Sequence, residues 1–253
     1  LKQIETIFDQ NITRHNKSQG HNIKAGMDFY ASQKTTLGVV FSGYINPYNS
    51  INKNKTDLNN AENRIDSIVL ANYTNEGNSK NFSTNLNLYH KFDSTGKEFT
   101  VDLDYLYYNQ PASSLLSTNY YYPDFTVRKD PSSLIGDLPS TVKVYSAKTD
   151  FTLPLPNHAK IETGLKSSYV SPANDAIYQN QTSSGTTIDE GNTNHFIYKE
   201  NINAAYVNYN RQIKKWGMQA GLRAENTNAK GHQLGNASHA DSSFTKNYQT
   251  LLN

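Results

Sequence analysis

Asp102 and Asp104 stand two residues apart in the run EFTVDLDYLYYN, and Arg223 and Glu225 stand two apart in GLRAENT. Residues at that spacing on a strand share a face. Two carboxylates so placed are the minimum for paired acid–base work, and an arginine beside a glutamate makes an ion pair or a polar binding surface. Solvated charges lining a water-filled space are the plainer reading of both pairs, so no catalytic residue is assigned and the chain is read as not an enzyme. His15, His21, His90, His158, His195, His232 and His239 show no HExxH and no close ligand spacing. His232, His239 and Asp241 share one polar stretch and read as solvated loop residues. Asp189, Glu190, Asn192 and Asn194 offer oxygen donors without the EF-hand spacing. There is no GxSxG, GxGxxG or Walker-type loop, and no cysteine, which removes disulfides, thiolate metal sites and cysteine nucleophiles. Neither a cofactor nor a metal is expected. Tyr120, Tyr121 and Tyr122, with Phe125 close by, are the best candidates for ligand contact, because aromatic faces stack on sugars and other planar or apolar solutes. An interfacial girdle or simple loop packing competes with that role.

The elements that would position these residues are strands. From Trp216 onward, Trp216, Met218, Ala220, Leu222 and Ala224 fall on one parity, and Gly217, Gln219, Gly221, Arg223 and Glu225 on the other. Such alternation is a strand with one apolar and one polar face. It recurs: Ile23, Ala25, Met27, Phe29 and Ala31 oppose Asn22, Lys24, Gly26, Asp28 and Tyr30, and Leu37, Val39, Phe41, Gly43 and Ile45 oppose Gly38, Val40, Ser42, Tyr44 and Asn46. Phe99, Val101 and Leu103 oppose Asp102 and Asp104; Ala147, Thr149 and Phe151 oppose Lys148 and Asp150; Ile161, Thr163 and Leu165 oppose Glu162, Gly164 and Lys166. Between Asn201 and Asn210 either Ile202, Ala204 and Tyr206 or Ala205, Val207 and Tyr209 could join the apolar face, and the second set avoids the parity of Glu200 and Asn208. Two aspartates on one strand face are costly in a dry core, and a water-filled lumen accepts them. Phe99, Val101, Leu103, Trp216, Met218 and Leu222 are therefore expected to face lipid, and Asp102, Asp104, Arg223 and Glu225 the lumen.

The linkers alternate between short and long. Turns are expected at Ser32–Thr35, Asp93–Lys97, the LPLPNHAK segment and about Arg211–Lys215. The stretches after Pro47, from Asn109 to about Ser140, from Val170 to about His195, and NAKGHQLGNASHADSS read as large exposed loops. Short turns at one end and long loops at the other are the asymmetry of outer-membrane barrels. Composition agrees with a wall rather than a globule. Apolar residues are 36% of the chain, below the roughly 45–50% usual for soluble domains, while the chain carries 18 Tyr and 32 Asn. A formal charge of +2 gives no field for nucleic acid. No apolar run approaches the roughly 18–20 residues of a membrane helix, so a membrane-spanning form would be a barrel.

The segments ENINAAYVNYN and GMQAGLRAENT, with the hairpins KNFSTNLNLYHKFDSTGKEFTVDLDYLYYN and GHNIKAGMDFYASQKTTLGVVFSGY, resemble the barrel of TonB-dependent outer-membrane receptors, in particular the Bacteroidetes-type outer-membrane β-barrel family. The resemblance is a pattern of strands and turns, with GLRAENT its sharpest motif. It implies an all-β, transmembrane antiparallel up-and-down β-barrel of about 22 strands, of which this chain supplies roughly nine or ten. It further implies nutrient uptake at the outer membrane of a Gram-negative bacterium, with outer-membrane lipid, a small ligand and a TonB-type energy-coupling protein as partners. Residues 1–253 would be part of one barrel domain, with the signal peptide and the plug that meets TonB lying outside this fragment.

Two other classes remain open at this level. A soluble extracellular β-sandwich, a lectin-like binding module, would bring the apolar parities together across a core and would not segregate short and long linkers. A non-transporting barrel would share the wall and differ elsewhere in the parent chain.

Overall fold

The structure is a computed structural model and describes residues 6–252. Every described strand belongs to one antiparallel sheet. In chain order the strands are β1 (Ile7–Ser18), β2 (His21–Ser32), β3 (Thr35–Asn59), β4 (Ile65–Lys91), β5 (Glu98–Gln110), β6 (Ala112–Tyr121), β7 (Val127–Asp137), β8 (Ser140–Leu155), β9 (Ala159–Thr182), β10 (Gly185–Ile188), β11 (Asn194–Ile213), β12 (Trp216–Leu234) and β13 (Ser242–Leu252).

Thirteen strands reduce to nine passes up and down the sheet. β1 and β2 both pair with β3, one above the other. β5 and β6 do the same along β4, and β7 and β8 along β9. β10 only folds back on the end of β9. The breaks between colinear halves lie on one row across the sheet, and prolines mark it. Pro47 sits within β3 beside the β1–β2 break, where its carbonyl accepts from the Gln19 N–H at 3.2 Å. Pro111 separates β5 from β6 and accepts from Asn78 at 3.1 Å, and Pro139 precedes β8 and accepts from Asp175 at 3.2 Å. A proline has no N–H to give a ladder, so each of these positions keeps only half of its backbone pairing.

The regions read as large loops are mostly strand, which corrects the sequence-based expectation. β3 continues past Pro47 to Asn59, β6 and β7 form a hairpin inside the Asn109–Ser140 stretch, β9 runs on to Thr182, and β12 to Leu234. The connections left at that end are 60–64, 122–126, 183–184, 189–193 and 235–241. The physical reason is the loss of alternation: these extensions carry polar side chains on both faces, and apolar neighbours such as Leu115–Leu116 and Leu134–Ile135 fall on both as well, so no apolar parity shows in the sequence, yet their backbones are paired on each side. β4 has 27 residues, whereas about 9–11 suffice to cross a bilayer. The segment 7–18, to which the sequence reading assigned no element, is the strand β1.

Among the described residues no second layer covers the sheet. Buried apolar residues are few, Ile68, Ala159, Ala204 and Ala229 among them, while Trp216 is 78% exposed and Leu165 61%. The register aligns the apolar side chains across strands: Leu37, Leu88, Val101, Thr149, Leu165, Ala205 and Ala224 follow one another along a single row. The apolar residues thus share one exposed face and meet no partner sheet, which removes the sandwich alternative.

Candidate functional site

On the opposite, polar face the register brings charged residues from four strands together. Asp102 on β5 stands opposite Lys148 on β8, which stands opposite Lys166 on β9. One residue pair along, Asp150 is opposite Gly164, Gly164 opposite Tyr206 on β11, and Tyr206 opposite Arg223 on β12. The side chains link into a chain: Lys148 Nζ lies 2.7 Å from Asp150, the Tyr206 hydroxyl donates to Asp150, the Arg223 guanidinium lies over the Tyr206 ring at 5.6 Å, and Arg223 Nε donates to Glu225. Asn210 adds a hydrogen bond to Glu162 at 3.0 Å. A recess of about 710 Å³ opens over Lys148, Asp150, Glu162, Lys166, Tyr206 and Arg223.

These groups sit at partial exposure, with 28% of the Asp150 and 32% of the Arg223 side chain accessible. Ion pairs that wet add little stability. Their effect is to fix the position and orientation of charge on this face. Asp104 lies on the same face one pair from Asp102 and accepts from Asn85 at 2.7 Å, so the two carboxylates do not converge on a common point as an acid–base pair.

The aromatic candidates are elsewhere. Tyr120 and Tyr121 end β6, and Tyr122 and Phe125 form the turn into β7, at the sheet end opposite the short turns. They divide between the faces: Tyr121 packs against Phe125 with centroids 6.0 Å apart, while Lys129 covers Tyr120 at 5.1 Å and Arg128 covers Tyr122 at 5.5 Å. Arg128 also bridges to Asp66 at 2.7 Å and, by hydrogen bond and charge, holds that carboxyl below its usual range. Thr126 holds the Asp124 carboxyl low in the same turn. The four aromatics thus divide at the rim, Tyr121 and Phe125 as a ring pair and Tyr120 and Tyr122 each under its own cation, rather than forming one platform, with Tyr122 and Phe125 exposed.

In the neighbouring connections the polar groups stabilise turns. Asp189 accepts from Asn180 and Asn192 side chains, both at 2.9 Å, and those amides lower its pKa. His232 lies 2.9 Å from Asp241 and lowers that carboxyl as well.

Tyr206 is the member that sequence reasoning placed in neither role. Its parity was visible, but its pairing with Gly164 and its reach to Asp150, 56 residues away in the chain, depend on which strands are neighbours. Phe99, Val101 and Leu103 lie on the exposed apolar face with Leu86, Leu88 and Ala147. Trp216, Met218 and Leu222 lie on that same face beside Val207, which Thr163 links to β9.

One amphipathic antiparallel sheet with an uncovered apolar face and a charged opposite face is a partial transmembrane β-barrel. The chain belongs to the outer membrane protein beta-barrel family, which it matches over residues 90–252, and its place is the outer membrane. Among curated proteins no relative matches it. Similar solved structures include the siderophore receptor PiuA from Acinetobacter baumannii, at 12% identity and a TM-score of 0.46, covering 99% of this chain and 46% of that one. Another is the ferric citrate transporter FecA in its unliganded form, at 12% identity and a TM-score of 0.44, covering 96% of this chain and 40% of that one. The chain therefore spans less than half the length of these two structures.

Proposed function

We propose that residues 1–253 are one part of a single outer-membrane barrel domain of a nutrient receptor, in which the apolar face meets lipid and the charged face lines a water-filled lumen. Phe99, Val101, Leu103, Trp216, Met218 and Leu222 take the lipid side; Asp102, Asp104, Arg223 and Glu225, with Lys148, Asp150 and Tyr206, take the lumen. The observation that carries this is the linked chain from Lys148 to Glu225 on one face, directly behind a face on which Trp216 and Leu222 stand exposed. Lipid accepts the second and excludes the first.

In this role the chain is not an enzyme. The extended strands that rise beyond the apolar band, with Tyr120, Tyr121, Tyr122 and Phe125 at a rim, are the surface where a small ligand is first met. Passage through the lumen is coupled to a TonB-type protein through a plug carried by other parts of the full-length chain. Cysteine scanning in the full-length protein tests the assignment of faces. Cysteines at 102, 104, 223 and 225 are expected to react with a water-soluble maleimide, and those at 101, 103, 218 and 222 only with a membrane-soluble one. The reverse pattern, or equal labelling by both, would sink it. Uptake that persists after the energy-coupling protein is deleted would remove the TonB-linked part alone.

A further inference from the structure

On the apolar face the upper edge of the band changes composition from one strand to the next. Along one row, Tyr105, Tyr145 and Tyr169 are cross-strand neighbours, with Tyr105 and Tyr145 centroids 5.0 Å apart and Tyr145 and Tyr169 6.4 Å apart. Tyrosines at this level are the interfacial girdle of a membrane barrel. On the next three strands the same row carries Asn201, Asn228 and Asn247, and the row beneath it Asn203, Asn226 and Gln249. These amides are joined side to side: Ser167 donates to Asn203 at 2.7 Å, Asn226 to Asn247 at 3.0 Å and Asn228 to Asn226 at 2.8 Å.

Below the amides the wall is hollow. Ala205 and Ala224 form the floor between Leu165 and Leu251, leaving a recess of about 860 Å³ that the amide row borders. Above them comes a row of lysines. Lys143 is opposite Ser171, Ser171 falls opposite Lys199 between the Val170–Glu200 and Ala173–Ile197 pairs, and Lys199 is paired directly with Lys230. All three lysines are exposed, and none is in an ion pair among the described residues. Asp175, the next acid along that face, already faces His195 at 3.4 Å. Like charges directly opposite one another are destabilising in a sheet, so Lys199 and Lys230 lack an anion.

We propose that this three-tiered strip on β8–β13 seats one phosphorylated glycolipid of the outer leaflet, its acyl chain over Ala205 and Ala224, its sugar hydroxyls on the Asn203–Asn226 amides, and its phosphate on Lys143, Lys199 and Lys230. It rests on the proposal that this face meets lipid. From Ala224 to Lys230 the strand climbs about 20 Å at ~3.3 Å per residue, which spans the upper acyl region and a headgroup. The three chemistries follow one another in the order that a single amphiphile requires. Charge complementarity selects an anionic headgroup, and the amide rows select a hydroxyl-rich one over a plain phospholipid.

The test uses the full-length protein in phosphatidylethanolamine nanodiscs containing either diphosphorylated lipid A or phosphatidylglycerol, with retained lipid read by native mass spectrometry. Lipid A is expected to be retained by the parent protein, with K143Q/K199Q/K230Q lowering retention about tenfold or more and N203L/N226L lowering lipid A without changing phosphatidylglycerol. Unchanged lipid A retention in the lysine variant overturns the seat, as does phosphatidylglycerol held as well as lipid A by the parent. Quenching by brominated acyl chains, taken as the difference between the parent protein and Trp216→Phe, separates the two levels. If Trp216 is not quenched, the lipid-facing assignment itself fails; if it is quenched while the lysine variant still holds lipid A, only the glycolipid seat fails.

Discussion

The ring of Tyr206 lies across Gly164, its directly paired residue on the neighbouring strand, and its hydroxyl reaches past that glycine to Asp150. A Cβ on residue 164 would meet Tyr206 Cζ at 2.5 Å and the Thr149 carbonyl oxygen at 2.6 Å. The glycine is therefore part of the charged chain on the polar face, because it leaves the floor on which the tyrosine lies.

Gly164→Ala is expected to destabilise the barrel by about 1–3 kcal/mol, the usual range for overpacking. Urea unfolding in detergent micelles measures this. Pairing it with Tyr206→Ala should recover part of the loss and not all, since the Thr149 carbonyl remains in the way. A fully additive double variant would show that the tyrosine does not occupy that space.

The extended strands predict a pattern of hydrogen exchange. Residues 48–58 are paired on both sides, with β1 and with β4, so their amides should be protected for minutes or longer, as should those of 36–45, which are paired with β2 and β4. A loop would exchange within seconds. Fast exchange through 48–58 would restore the loop assignment that the sequence alone suggested.

In the turn between β8 and β9, Asn157 and His158 both have positive φ, 61° and 56°. Asparagine tolerates that region, and histidine less so. His158→Gly keeps the backbone carbonyl that accepts from Gln212 at 3.1 Å and should stabilise the hairpin by about 1 kcal/mol. A higher denaturation midpoint with an unchanged slope would report it.

The 189–193 connection should be sensitive to acid in one direction. Hydrogen bonds from Asn192 and Asn180 depress the Asp189 pKa in the folded state, so its contribution is complete above the unfolded value of about 3.9. That contribution is lost as pH falls through the lower folded value. Amide exchange at Asn192, whose N–H donates to Asp189 Oδ1 at 3.1 Å, should accelerate there relative to the acid-dependent rate of a free peptide. Asp189→Asn should remove the pH step.

At the far rim, Arg128→Ala removes both the bridge to Asp66 and the cation over Tyr122. Both partners are exposed, so global stability should hardly change, while exchange across 122–128 should rise. A large drop in overall stability would contradict an independent rim cluster.

The sequence by itself determined the period-two alternation, the short turns, the choice of Ala205, Val207 and Tyr209 over Ile202, Ala204 and Tyr206 for the apolar parity, and the membership of a barrel wall. Each is encoded within about a dozen neighbouring residues, because a strand with different solvents on its two faces records them as alternation. The tertiary structure decided the rest. Beyond the band the two faces of β3, β4 and β9 mix polar and apolar residues, as in the Ile68–Ala71 run of β4, so alternation vanishes although the ladders continue. That is why strand looked like loop around Asn52, Thr118 and Gln179. Which residues meet across strands is equally silent in a single segment: Asp150, Gly164, Tyr206 and Arg223 lie far apart in sequence and become one row only through register. Pro47 was legible as an interruption, whereas Pro111 and Pro139 lay inside a stretch read as loop, and only the sheet places the three on a common line, where each missing N–H leaves a neighbouring ladder to break.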